Sequence, residues 1–167
     1  MSRPKIGAIG VLIFVALILN VISVFTKNWI VVSYRAYGAS ASIGFGLSGD
    51  DGAGWFAAAS WMMYISFGVL LVLALLYLYT GWKVHHHGCC YSIRPLVLAI
   101  GGLCSLTAFL QALAFILVVA NVSSSYSSLL GTVGSSVGSS GYLALSSAIV
   151  LIVAMSLAAH VAHHHCR

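Results

Sequence analysis

IGAIGVLIFVALILNVISVFT, residues 6–26, decides how the rest of the chain is read. It holds 21 residues without a Lys, Arg, Asp or Glu, and a helix of about 20 apolar residues crosses the hydrocarbon core of a bilayer. In lipid every backbone N–H and C=O must be satisfied within the segment, so such a run becomes a helix. Three more runs follow, Trp55–Tyr79, Leu96–Ala120 and Tyr142–Ala162, of 25, 25 and 21 residues. The chain predicts four transmembrane helices.

Composition agrees. Of 167 residues 61% are hydrophobic and 5% charged, with two acidic side chains, and the mean hydropathy is +1.07. A soluble domain is about one quarter charged, so a soluble enzyme is excluded. The net charge of +5 comes from basic residues scattered singly at the ends of apolar runs. No basic stripe or recognition motif is present, which argues against nucleic-acid binding.

The same basic residues orient the spans. Arg3, Lys5, Lys83, Arg94 and Arg167 flank one side and Lys27 and Arg35 the other. The expected plan is therefore a single unit: span 6–26, outside loop 27–54, span 55–79, cytoplasmic loop 80–95, span 96–120, outside loop 121–141, span 142–162 and tail 163–167. Both termini are cytoplasmic in this plan, and the first run is a retained helix, too long for a signal-peptide core and lacking a small-residue cleavage site. Residue 2 is Ser, so the myristoylation motif is absent.

The outside loops differ. Trp29–Tyr37 is rich in β-branched and aromatic residues, Gly38-Ala-Ser reads as a turn and Ser42–Leu47 as a return strand. Residues 121–141 form an uncharged Ser/Gly tract, a flexible linker by composition. Its interspersed Leu129, Leu130, Val133 and Val137 suggest that it rests on something, the first loop being the candidate.

Catalysis finds no constellation. Asp50 and Asp51 stand together outside, all seven His lie towards the cytoplasmic side, and most loop Ser residues lie outside, so a Ser-His-Asp arrangement cannot assemble. No cofactor, small-molecule substrate or metal is implied. His85–His87 and His163–His165 lack ligand spacing and read as weakly basic juxtamembrane collars. Cys89, Cys90 and Cys166 flank cytoplasmic helix ends, where they are either S-palmitoylation sites or unmodified thiols. Asn121-Val122-Ser123 matches a glycosylation acceptor but sits directly against the end of a span.

Within the spans, Asn20 and Gln111 lie at matching depths from the cytoplasmic starts of their runs. Ala16, Asn20 and Ser23 share one helix face, as do Cys104, Ala108 and Gln111. Asn20 and Gln111 are expected to approach each other, directly or through one neighbour. Such interhelical bonds contribute about 0.6 to 2 kcal/mol, which makes them packing glue. Small residues at four-residue spacing, Gly101 with Ser105, Ala108 with Ala112, and Ala154, Ala158 and Ala162, favour close helix packing.

This layout resembles the claudin-like tetraspans, the group of claudins, peripheral-myelin-type proteins and calcium-channel gamma-type subunits. Trp29 is similar to that group's first-loop tryptophan, Ser42–Leu47 to the stretch leading into its G-L-W…C…C motif, and Gly141-Tyr-Leu-Ala-Leu145 to its fourth-helix entry. Ser48 stands at the W of that motif and residues 27–54 hold no cysteine, so the branch is a divergent one without the loop disulfide. The resemblance implies an all-α membrane protein, a four-helix bundle with a small extracellular β-sheet. It also implies a non-enzymatic structural or adhesive role at cell junctions or a specialised membrane domain of the plasma membrane. The alternative is an auxiliary subunit of a channel or receptor. The expected partners are the bilayer and either further copies of the chain or a lateral membrane protein. Candidate outside contact residues are Trp29, Tyr34, Arg35, Tyr37, Phe45, Leu47, Asp50 and Asp51. Candidate interhelical residues are Asn20, Gln111, Gly101, Ser105 and Ala108.

Overall fold

The computed structural model describes residues 3–36, 39–47, 54–87, 94–126 and 133–164. In chain order these form α1 (Arg3–Phe25), β1 (Ile30–Ala36), β2 (Ala39–Phe45), α2 (Gly54–His87), α3 (Arg94–Tyr126), β3 (Val133–Val137) and α4 (Ser139–His164). All four helices are long and apolar enough to cross a membrane. Each outruns its apolar stretch: α2 continues past Tyr79 to His87 and α3 past Ala120 to Tyr126. Hydropathy marks only the part that lipid would cover, whereas a helix once nucleated propagates through the polar residues beyond it. His85–His87 thus belong to the last turn of α2. Tyr37, Asp50, Asp51, Cys89, Cys90, Cys166, Leu129 and Leu130 lie outside the described residues.

The helices pack in a ring, α1 between α4 and α2, and α3 between α2 and α4. Therefore α1 and α3 lie diagonally across the bundle. The surface is apolar, unlike that of a soluble protein: Val11, Ile18, Trp61, Leu75 and Phe109 are exposed, while Asn20, Ser66, Gln111 and Ser147 are buried within a largely apolar core. A surface of Val, Ile, Leu, Phe and Trp suits lipid, which lacks the hydrogen-bonding capacity of water.

Most hydroxyls are satisfied within their own helix. Ser60 donates to the Phe56 carbonyl, Thr80 to Leu76 and Thr107 to Leu103, at 2.7–2.9 Å. Two reach another helix instead, and the buried Ser140 hydroxyl has no partner in the protein. Ser23 Oγ donates to the Ser140 carbonyl at 2.8 Å and Ser147 Oγ to the Ala16 carbonyl at 2.9 Å, and both bonds tie α1 to α4.

One end of the bundle carries a three-stranded antiparallel sheet in the order β2-β1-β3. The β1–β2 register runs from Ile30 opposite Phe45 to Ala36 opposite Ala39, leaving residues 37–38 between the strands. Ala39 and Ser40, expected in the turn, are therefore strand residues. The Ser/Gly tract supplies β3, pairing Ile30 with Val137 and Tyr34 with Val133. β1 is thus the central strand, and the edges belong to β2 and β3.

Gly138 makes this arrangement possible. A Cβ there would run into the Asn28 carbonyl and Val31, where the backbone of residue 138 passes directly over the linker from α1 to β1. Gly138→Ala is expected to lower stability by about 1–3 kcal/mol through overpacking against main chain. Gly68→Ala in α2, where nothing lies within 4 Å of the added carbon, is the control, expected to be neutral or to gain up to about 1 kcal/mol of helix propensity. Thermal unfolding of both variants in one detergent checks the contrast.

Candidate functional site

The sheet is placed by the short linker between α1 and β1. A helix leaves its last four carbonyls and first four amides without intrahelical partners. At the end of α1 the Ile22 carbonyl accepts from the Thr26 amide at 3.0 Å and from the Thr26 hydroxyl at 2.5 Å. The Ser23 carbonyl accepts from the Trp29 indole Nε1 at 2.8 Å. At the start of α4 the Ser140 amide donates to the Asn28 carbonyl at 3.3 Å, and the Gly138 amide to the Trp29 carbonyl at 2.9 Å. Two consecutive residues, Asn28 and Trp29, therefore serve the C-terminus of α1 and the N-terminus of α4. The Trp29 amide then donates to the Phe45 carbonyl at 2.9 Å, which adds a rung to the β1–β2 ladder.

Trp29 is wholly buried, in a cluster with Val24, Ile30, Val32, Leu47, Phe56 and Met63. Expected as contact residues, Trp29 and Leu47 instead fill the core beneath the sheet. Their rings and branches are apolar enough to be drawn under it, and burial removes them from any outer contact surface. Tyr34 and Arg35 lie in β1 opposite Ala41 and Ser40.

Phe45 remains available. Directly opposed residues in an antiparallel pair share a face, so Phe45 and Ile43 lie on the same side of the sheet as Ile30 and Val32. Ile30 and Val32 are buried, yet Phe45 is 41% and Ile43 51% exposed. Strand β2 therefore overhangs the helices, and its apolar underside is uncovered.

Among the interhelical candidates, Asn20, Gln111 and Ala108 are buried, and a Cβ at Gly101 would lie 3.8 Å from Ala158 Cβ on α4. Ser105 is exposed. A step of four residues turns a 3.6-residue helix by an extra 40° or so, enough to carry Ser105 out of the seam that Gly101 enters. Asn20 Nδ2 donates to Ser66 Oγ on α2 over a long 3.4 Å. Neither amide atom of Gln111 has a hydrogen-bond partner in the protein. Nothing in the sequence marks Ser66, Ser140 and Ser147, since serine is common in this chain and only helix rotation tells which hydroxyls face inward. Among the described residues no three His, Cys, Asp or Glu side chains lie close enough to hold a metal ion.

Substitutions at residue 29 separate its two contributions. Trp29→Phe keeps an apolar ring but leaves the Ser23 carbonyl without its donor, an expected loss of about 1–3 kcal/mol. Trp29→Ala adds a cavity and is expected to lose about 3–5 kcal/mol. Amide exchange of β1 should accelerate in both, more so in the alanine variant; unchanged exchange would contradict the anchoring role.

A family model described as tight junction protein, claudin-like, matches residues 1–167 of the chain. No curated protein matches it. Four spans, a sheet built on the first loop, a tryptophan at the exit of α1 and a match over the full sequence agree: this chain belongs to the claudin-like family.

Proposed function

We propose that the protein is a structural, adhesive component of cell–cell contacts, presenting its sheet on the outer face of the plasma membrane with both termini in the cytoplasm. The uncovered apolar underside of β2, Ile43 and Phe45, is the observation that carries this reading. Apolar side chains on a strand rigidly anchored to the bundle are preformed for contact, and little ordering opposes association. The outer edge of β2 offers backbone groups for the same contact. Family membership supports a structural rather than catalytic role.

A second reading, an auxiliary subunit of a channel or receptor, draws on the bundle surface. Trp61 of α2 and Phe109 of α3 are 69% and 61% exposed, and large rings of this kind suit a lateral membrane partner as well as lipid.

Expression in non-adherent cells, with an epitope on the 27–54 loop detected without permeabilisation, tests the first reading. The protein should concentrate where cells touch. Ile43→Ser with Phe45→Ser should weaken that enrichment roughly fivefold or more, as when interface residues contributing over about 1 kcal/mol are lost. The pair should change stability little, because both side chains are already half exposed. Uniform surface distribution, with stoichiometric recovery of a larger membrane protein that Trp61→Ala abolishes, would favour the auxiliary reading instead.

A further inference from the structure

The bundle core is interrupted. One apolar cluster includes Ala16 of α1, Leu70 of α2, Ala108 of α3 and Ala148 of α4, and a second includes Val24, Met63, Ala114 and Ala144. On every helix a buried polar residue falls between the two: Asn20, Ser66, Gln111 and Ser147. All four are wholly buried. They form a polar layer across the bundle, closer to the sheet end than to the other.

Two members of this layer are complete. Ser147 Oγ donates to the Ala16 carbonyl at 2.9 Å and Ser66 Oγ to the Met63 carbonyl at 2.8 Å. Because the Ser66 proton is committed to Met63, its oxygen can only accept from Asn20. That fixes the Asn20 side chain with its NH₂ towards Ser66 and its carbonyl oxygen directed elsewhere. Asn20 Oδ1 and both Gln111 amide atoms then stand buried without partners. The unmet set is two acceptors and one NH₂ donor, on helices that face each other diagonally.

The layer contains no acid or base, so an ion entering it would find no countercharge, and burial of an unpaired ion is strongly unfavourable. A ligand for these atoms must be neutral, small, and able both to donate and to accept. Water fits each requirement, and internal waters bind where two to four polar groups converge.

We propose that the Asn20–Gln111 layer is an internal hydration site, in which one or two ordered water molecules accept from Gln111 Nε2 and donate to Gln111 Oε1 and Asn20 Oδ1. The site links α1 and α3, which otherwise communicate through α2 and α4, and fixes the depth at which the four helices meet. A one-turn slip of α2 would set Met63 or Leu70 against the layer, and one of α4 would set Ala144 or Leu151 there.

Gln111 is the only glutamine in the chain, so ¹⁵N-glutamine labelling of the intact protein in deuterated micelles yields a single side-chain NH₂ pair. That pair is expected to show a direct dipolar cross-peak to a long-lived water, whose sign distinguishes it from proton exchange. Asn20→Leu should shift the pair and weaken the cross-peak. A cross-peak to the Asn20 amide in place of water, or no water contact, overturns the proposal. A stability cycle tests the link independently: Asn20→Leu and Gln111→Leu should each lower the folding constant, and the double variant should exceed the product of the single effects by about fivefold or more, as for residues sharing one network. Additive effects would count against it, and the labelling result stands even if one variant does not fold.

Discussion

The structure depends on how two helix ends are capped within a few residues of each other. The carbonyls at the end of α1 and the amides at the start of α4 both need partners where the chain leaves hydrocarbon. The linker from α1 to β1 supplies them: the Trp29 indole takes the Ser23 carbonyl, and the Asn28 and Trp29 carbonyls take amides of residues 138 and 140. The Ser23 hydroxyl then closes the circuit on the Ser140 carbonyl. A segment that caps two helices cannot move independently of either, so β1, which begins one residue later, inherits a fixed position. The other strands are placed relative to β1.

The polarity of the helices follows from the same constraint applied along their length. Lipid offers no hydrophobic reward for bringing apolar helices together, so association rests on close packing and on hydrogen bonds that the surroundings cannot satisfy. The small residues Ala154, Ala158 and Ala162 line one buried stripe of α4. The hydroxyls of Ser23 and Ser147 reach across the α1–α4 seam. Bulky Trp, Phe and Leu side chains, which would drive the core of a soluble bundle, are largely displaced to the outside here.

Much of this was legible because the bilayer imposes its own dimensions on sequence. Four uncharged runs of sufficient length leave few alternatives to four helices, and the two buried amides, Asn20 and Gln111, stand out against them. The strand pair of the first loop was visible in its β-branched residues; Val133 and Val137 pointed to a contact with that loop, but the Ser/Gly composition reads as a linker and hid the third strand. The roles of individual side chains were less accessible. Trp29 reads as a surface aromatic until the indole is seen turned back under the sheet, and Ser105 reads as an interface residue until a 40° rotation carries it out of the seam. Such assignments depend on helix rotation and on contacts between residues far apart in sequence. Ser23 and Ser140 are 117 positions apart, a separation no local pattern encodes.

A loop sheet without a disulfide needs another means of holding its shape. A crosslink in such a loop would contribute about 2–4 kcal/mol, chiefly by restricting the unfolded chain. Here residues 27–54 hold no cysteine, and native-state constraints take over. With residues 37–38 alone between the paired strands, the loop to be closed is short, and closure entropy grows with loop length. The second loop adds β3 along the opposite edge of β1, so the central strand is hydrogen-bonded on both sides. Trp29 supplies the buried mass beneath it. A disulfide would have tied the sheet to itself. The linker's hydrogen bonds tie it instead to α1 and α4, so any force on the sheet is transmitted to two membrane-spanning helices rather than absorbed within the loop.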